Sequence, residues 1–100
     1  MDAFLTIASD PGAHFPISCV KQIAKLPSVC IDPHLTPTSG VSKLHVPVAF
    51  AGVEVGGNAY RMDNVPIDMR KVVDPPAGML TDEEFLTKVR DRVKQLKGLA

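Results

Sequence analysis

The chain has 100 residues, of which 45% are hydrophobic and 22% charged, with eleven basic and eleven acidic side chains. This length predicts a single domain spanning residues 1–100. The zero net charge argues against a free, strongly basic nucleic-acid-binding module, and no apolar run approaches the ~18 residues of a membrane span. A lone domain of this size buries only roughly 65% of its unfolded surface, so the apolar content predicts an oligomer.

The compartment is predicted from the chain start and the two cysteines. The start, Met-Asp-Ala-Phe, lacks the basic region of a signal peptide, which predicts a cytosolic protein. Cys19 and Cys30 fit reduced thiols in such a compartment, because a secreted domain that needs disulfides usually carries more of them. A crosslink between subunits is the alternative.

The first third of the chain predicts a hairpin. Residues 3–8 are rich enough in β-branched and aromatic side chains for a strand, and the following Ser-Asp-Pro-Gly is typical of a type II turn. The return strand is expected over residues 14–19. Residues 17–26 fit either an extended segment, which we favour, or a helix with Val20 and Ile23 on its apolar stripe.

The central segments predict two more strands. Residues 28–32 alternate, with Val29 and Ile31 on one face, and residues 33–40 contain the turn formers of a loop. Residues 41–50 also alternate, with an apolar face that includes Leu44 and Val46. A glycine-containing loop over residues 51–58 and an extended segment over residues 59–73 follow.

The C-terminal helix carries the strongest local signal. Thr81 and Glu84 have the spacing of a capping box, and an apolar stripe that includes Val89 predicts a helix from residue 82 to about residue 97. We expect Val89 in a helix–sheet interface, where Val89→Asp would abolish a soluble dimer. The fold class is therefore α+β: an antiparallel sheet with an N-terminal hairpin, covered on one face by a C-terminal helix. Residues 1–76 are mostly strands and residues 80–98 the helix.

No catalytic or metal-binding motif accompanies these elements. The three histidines have neither the HxH nor the HExxH spacing of a zinc site, and the glycines precede no helix that could cradle phosphate. We therefore predict no enzyme activity, no cofactor, no metal and no small-molecule substrate. The polar sheet face remains as a candidate RNA platform, with a cation, an aromatic ring and small polar groups; its residues are Ser28, Cys30, Lys43, His45, Tyr60 and Asn64.

The order of these elements resembles the coat proteins of small single-stranded RNA phages, the levivirus group. The similarity lies in the N-terminal hairpin at residues 4–12, the central strands at 29–32 and 42–48, the loop at 51–58 and the last strand beginning at Tyr60. It implies an intertwined homodimer that assembles into an icosahedral shell, reads an RNA hairpin from the sheet face, and is located in the virion after assembly in the host cytoplasm. Tyr60 would stack on a base and Lys43 would contact phosphate.

Two other classes stay open beside the capsid hypothesis. A small dimeric ferredoxin-like α+β binding protein without a capsid role predicts a helix between early strands, so a helical segment over residues 17–26 would favour it. A small barrel isomerase using His45 or Cys30 is the third reading.

Overall fold

The computed structural model describes residues 1–98 and divides the chain into two compact units, Met1–Pro47 and a second that begins at Val48. Residues 99 and 100, the end of the domain expected from the sequence, lie outside the described residues. That domain expectation, 1–100, stays a prediction. The coarse class is confirmed, since the chain is a small α+β structure with one parallel and one antiparallel sheet.

The first unit is built on a three-stranded parallel sheet. Its strands β1 (Phe4–Ile7), β2 (Ser28–Ile31) and β3 (Leu44–Val46) lie in that order, with Leu5 beside Val29 and Val29 beside Leu44. The connections contain α1 (Pro11–His14) and α2 (Ile17–Lys25) before β2, and α3 (Pro37–Val41) before β3. Both connections are long enough for the crossover that parallel strands require.

The predicted N-terminal hairpin is wrong. Pro11 opens α1 instead of serving as the corner of a turn, because its fixed φ and missing N–H suit the first position of a helix. The expected return strand over residues 14–19 is also wrong, since α2 begins at Ile17 and buries Val20 and Ile23 on the stripe that the helical alternative required. The helix is the feature that the non-capsid α+β alternative predicts.

Two further segments differ from expectation. The loop expected over residues 33–40 contains α3, where Thr36 and Ser39 form a capping box; Ser39 N donates to Thr36 Oγ1 at 3.2 Å. The long strand expected over residues 41–50 is shortened to Leu44–Val46. Pro47, which lacks a backbone donor, directly follows this strand.

The second unit contains a hairpin and the C-terminal helix. Strands β4 (Gly57–Tyr60) and β5 (Pro66–Met69) pair antiparallel, and the predicted helix is confirmed as α4 (Asp82–Leu96) with its capping box on Thr81 and Glu84. No residue of α4 is buried, and Val89 is 42% exposed. The predicted packing of Val89 in a helix–sheet interface is therefore wrong.

Within residues 1–98 every helix is too short or too polar to cross a membrane.

Candidate functional site at the carboxyl edge of the parallel sheet

Three parallel strands of the first unit end at one edge, where their loops carry polar side chains. β1 runs into Asp10, and β2 runs into Asp32 and His34. Ligands of open sheets with helical crossovers bind outside the carboxyl ends of the strands, because the loops there converge without secondary-structure partners. This edge is the candidate functional site of the first unit.

Asp10 anchors the α3 region to the edge. Its Oδ1 accepts hydrogen bonds from Thr38 Oγ1 at 2.6 Å and from Thr38 N at 3.2 Å, and Thr38 is fully buried. The Thr38 hydroxyl in turn accepts from Gly12 N at 2.8 Å. The Thr38 hydrogen bond holds the pKa of Asp10 below its ordinary value, against the opposing effect of desolvation.

Gly12 has no room for a side chain. A Cβ atom at this position would lie 2.7 Å from Thr38 N and 2.9 Å from the carbonyl carbon of Pro37. Both neighbours are backbone atoms, so the close approach of α1 to α3 requires glycine. The hydrogen bond from Gly12 N to Thr38 depends on this contact.

Asp32 organises the loop after β2. It is 8% exposed, its N–H donates to Val46 O at 3.2 Å, and its Oδ1 accepts from His34 N at 2.8 Å. The Nε2 atom of His45 lies 2.9 Å from Asp32 O. Carboxylates and imidazoles at such an edge can hydrogen-bond a polar ligand, which is the chemistry the arrangement offers.

The structure brings only part of the predicted RNA-binding set together. Cys30 pairs with His45 across β2 and β3, and Lys43 N donates to Ser28 O at 3.1 Å. Tyr60, which is 71% exposed, and Asn64, at the β4–β5 turn with a φ of 63°, belong to the second unit. The one polar face expected from strand parity is therefore not formed as a single surface of one sheet.

The predicted accessibility of Ser28 and Cys30 is wrong. Ser28 is 3% exposed and Cys30 is fully buried, because this face of the parallel sheet is the one that packs inward in the first unit. Burial is the main cause that raises the pKa of the Cys30 thiol, with the charge of Asp32 adding to it. Both cysteines are free thiols, and Cys19 is exposed.

Sequence reasoning missed Asp10, Asp32 and Thr38 as a cluster. One signal could have indicated the edge: an Asp-Pro dipeptide follows each of the first two strands, at Asp10-Pro11 and Asp32-Pro33. Two strands that both end in the same turn-forming pair suggest carboxylates at a shared edge, but only once the strands are known to be parallel.

Within residues 1–98, no group of three or more His, Cys, Asp and Glu side chains could hold a metal ion.

Comparison with known proteins shows similarity to one kind of enzyme subunit. The chain is 57% identical over 95 residues to a named subunit of the tungsten-containing formylmethanofuran dehydrogenase 2 of Methanocaldococcus jannaschii. It is 50% identical over 96 residues to the subunit of the same name in Methanococcus maripaludis. These matches include 95% and 96% of the chain but 22% of each relative, so the chain spans about a fifth of the length of the curated relatives it matches. No protein-family model matches the chain.

These relatives overturn the resemblance to phage coat proteins. Identities of 57% and 50% over nearly the whole chain far exceed a similarity in the order of elements. The predictions of an icosahedral shell, a homodimer binding single-stranded RNA, location in a virion and absence of any enzymatic role are therefore wrong. RNA contacts of Lys43, His45, Tyr60 and Asn64 were predicted for that coat protein and are not carried further.

Proposed function

We propose that this chain serves as the matching part of the same subunit in a tungsten-containing formylmethanofuran dehydrogenase. The observation that carries the proposal is the identity to two such subunits, 57% and 50%, over 95% and 96% of the chain. The relatives' name implies an enzyme of several subunits that contains tungsten. The partners of the chain are accordingly the remaining parts of this enzyme.

The carboxyl edge of the parallel sheet is the part of the chain that we assign to ligand contact. Its support is the position of Asp10, Asp32 and His34 at the ends of parallel strands, where open sheets hold their ligands. The residues described do not form a ligand set for tungsten, and the two cysteines lie apart in character, one exposed and one buried. No step of the proposal runs through the metal in this chain.

A segment exchange tests the proposal. The matching 96 residues of the Methanococcus maripaludis relative are replaced by the corresponding residues of this chain, in the host organism and in the presence of the other subunits. We expect the chimeric enzyme to assemble, retain tungsten and oxidise formylmethanofuran, because about half of the side chains are unchanged. A matched control replaces the same segment with a scrambled version of this chain.

The outcome that contradicts the proposal is an assembled chimera with no activity, or a chimera that behaves like the scrambled control. Tungsten content and subunit composition distinguish these two failures. The first would show that the segment folds in place but lacks the required chemistry, and the second that it does not fit the surrounding polypeptide.

The ligand edge has its own test within the active chimera. His34→Ala alters an exposed side chain at the carboxyl edge, and Lys25→Ala alters an exposed side chain near the start of β2, at the opposite edge. We expect the first variant to raise KM or lower kcat by roughly tenfold, the effect of one lost hydrogen bond to a polar ligand, and the second to leave both unchanged. Equal effects of the two variants would remove the edge from the proposal.

A further inference from the structure

One face of the parallel sheet is aliphatic throughout. Neighbouring strands place Leu5 beside Val29 and Leu44 in one row. They place Ile7 beside Ile31 and Val46 in the next row. The opposite face carries the inward-packing Ser28 and Cys30. We call the six-residue surface the aliphatic face; it consists of Leu5, Ile7, Val29, Ile31, Leu44 and Val46.

Much of the aliphatic face is open to solvent. Leu5 and Leu44, at the two ends of the first row, are each 56% exposed, and Ile7 is 40% exposed. The first row lines an open depression of about 510 Å³ whose lining includes Ala3 and Pro27. Central Ile31, in contrast, is 1% exposed. Only the second row is therefore covered at its centre.

Parallel strands do not ordinarily leave one face bare. All-parallel sheets occur almost only with helices on both faces, because both sides of such strands are apolar. Here helices α1, α2 and α3 all belong to the connections between the strands of one unit, and the Cys30 face is the buried one. The aliphatic face is thus missing the second helical layer that its side chains require.

The geometry and composition of the face favour a helix over a second sheet or a second copy. Adjacent strands lie about 4.8 Å apart, so three strands present a strip that one or two helices of ~10 Å diameter cover. Face-to-face packing of two sheets is the arrangement of antiparallel sandwiches, whereas parallel sheets pack against helices. None of the six paired positions carries a charge, so the occupant must present an uncharged aliphatic stripe.

We propose that the aliphatic face docks an amphipathic helix contributed by the part of the full-length polypeptide that lies outside the segment matched by this chain. The matched segment is 22% of each relative, so most of that polypeptide is available to supply the layer. This inference rests on the proposed function for the identity of the occupant. The need for a helical cover rests on the sheet alone.

The first experiment uses the 100-residue chain by itself. The double variant Leu5→Asp with Leu44→Asp is expected to leave the circular dichroism spectrum and Tm unchanged, because both side chains are exposed in this chain. Ile31→Asp, at a buried position of the same face, is the matched control and is expected to unfold the chain. Loss of structure in the double variant would show that the chain covers the face itself or pairs with a second copy, and would overturn the proposal.

The second experiment places the photocrosslinker p-benzoylphenylalanine at position 44 of the chimeric polypeptide, with position 35 as control. Leu35 is 85% exposed and lies in the loop after β2. We expect irradiation to join position 44 to an amphipathic helix of the same polypeptide, outside the exchanged segment, and position 35 to give no such product. In the same chimera, the double Asp variant should lower the yield of assembled enzyme roughly tenfold or more.

The outcomes separate the two proposals. Crosslinks to the predicted helix in an inactive chimera would support the docking surface while contradicting the proposed function. An active chimera whose position 44 crosslinks to a different polypeptide of the enzyme, to a second copy or to nothing would contradict the docking surface alone. A double Asp variant that assembles normally would do the same.

Discussion

At the residue scale, the contact between Gly12 and α3 is the most demanding position in the first unit. Gly12→Ala places a Cβ atom 2.7 Å from Thr38 N and so forces apart two backbone segments joined by a hydrogen bond. We expect a loss of about 1–3 kcal/mol in the free energy of unfolding, measured by urea denaturation. Gly40→Ala is the control: no heavy atom lies within 4 Å of its Cβ position, and alanine stabilises a helix by roughly 0.5–1 kcal/mol relative to glycine. Equal effects would contradict the close contact.

Asp10 should make the stability of the first unit depend on pH. Its pKa in the folded chain lies below the ordinary value of 3.8, mainly because Thr38 donates a hydrogen bond to the carboxylate. The folded state therefore binds this proton less readily than the unfolded state. The stabilisation is fully present above the ordinary value and is lost as pH falls through the lowered pKa. Asp10→Asn should flatten the decline of Tm below about pH 4, whereas Asp2→Asn, exposed near the chain start, should leave the decline as it is.

At the element scale, α4 shows that a correct helix prediction does not predict what the helix contacts. The capping box and the span Asp82–Leu96 follow from local side chains, but Val89 is 42% exposed and Val93 is 43% exposed. We therefore expect Val89→Asp to change the unfolding free energy of the chain by about 1 kcal/mol or less, chiefly through helix propensity. Ile23→Asp, at a site that is 6% exposed on α2, should unfold the first unit. Urea titrations of both variants decide the point, and unfolding by Val89→Asp would restore a buried interface.

The same scale explains why α2 was open to two interpretations. Residues 17–26 contain β-branched side chains typical of strands and an apolar spacing typical of helices. The helix forms because Val20 and Ile23 bury one stripe while Lys21 and Lys25 stay outside. Once α2 is a helix, β1 and β2 can pair only as parallel strands of a crossover, so one local choice changes the sheet from antiparallel to parallel.

At the scale of the whole molecule, the two compact units differ in sheet type and together form the chain described over residues 1–98. Chains shorter than about 70 residues rarely stabilise themselves with a hydrophobic core alone. The expectation of one domain thus predicts that both units unfold in one transition. Amide hydrogen exchange tests it at Asp32, whose N–H donates to Val46 O, and at Ala49, whose N–H donates to Leu80 O. Equal protection free energies are expected, and a gap of about 2 kcal/mol or more would show two independent folding units.

The sequence by itself determined the features that depend on neighbours along the chain. Strand β1, strand β2 and the capped helix α4 all follow from side-chain alternation, helical spacing or a capping pair, since these signals act within a few residues. Only the tertiary structure decided which face of the parallel sheet is buried. Alternation along β2 separates Cys30 from Ile31 but cannot say which side the helices will cover. That choice depends on the crossovers through α2 and α3, which bring Asp10, Thr38 and Asp32 to one edge across long stretches of chain, and pairing over such distances leaves no local pattern in the sequence.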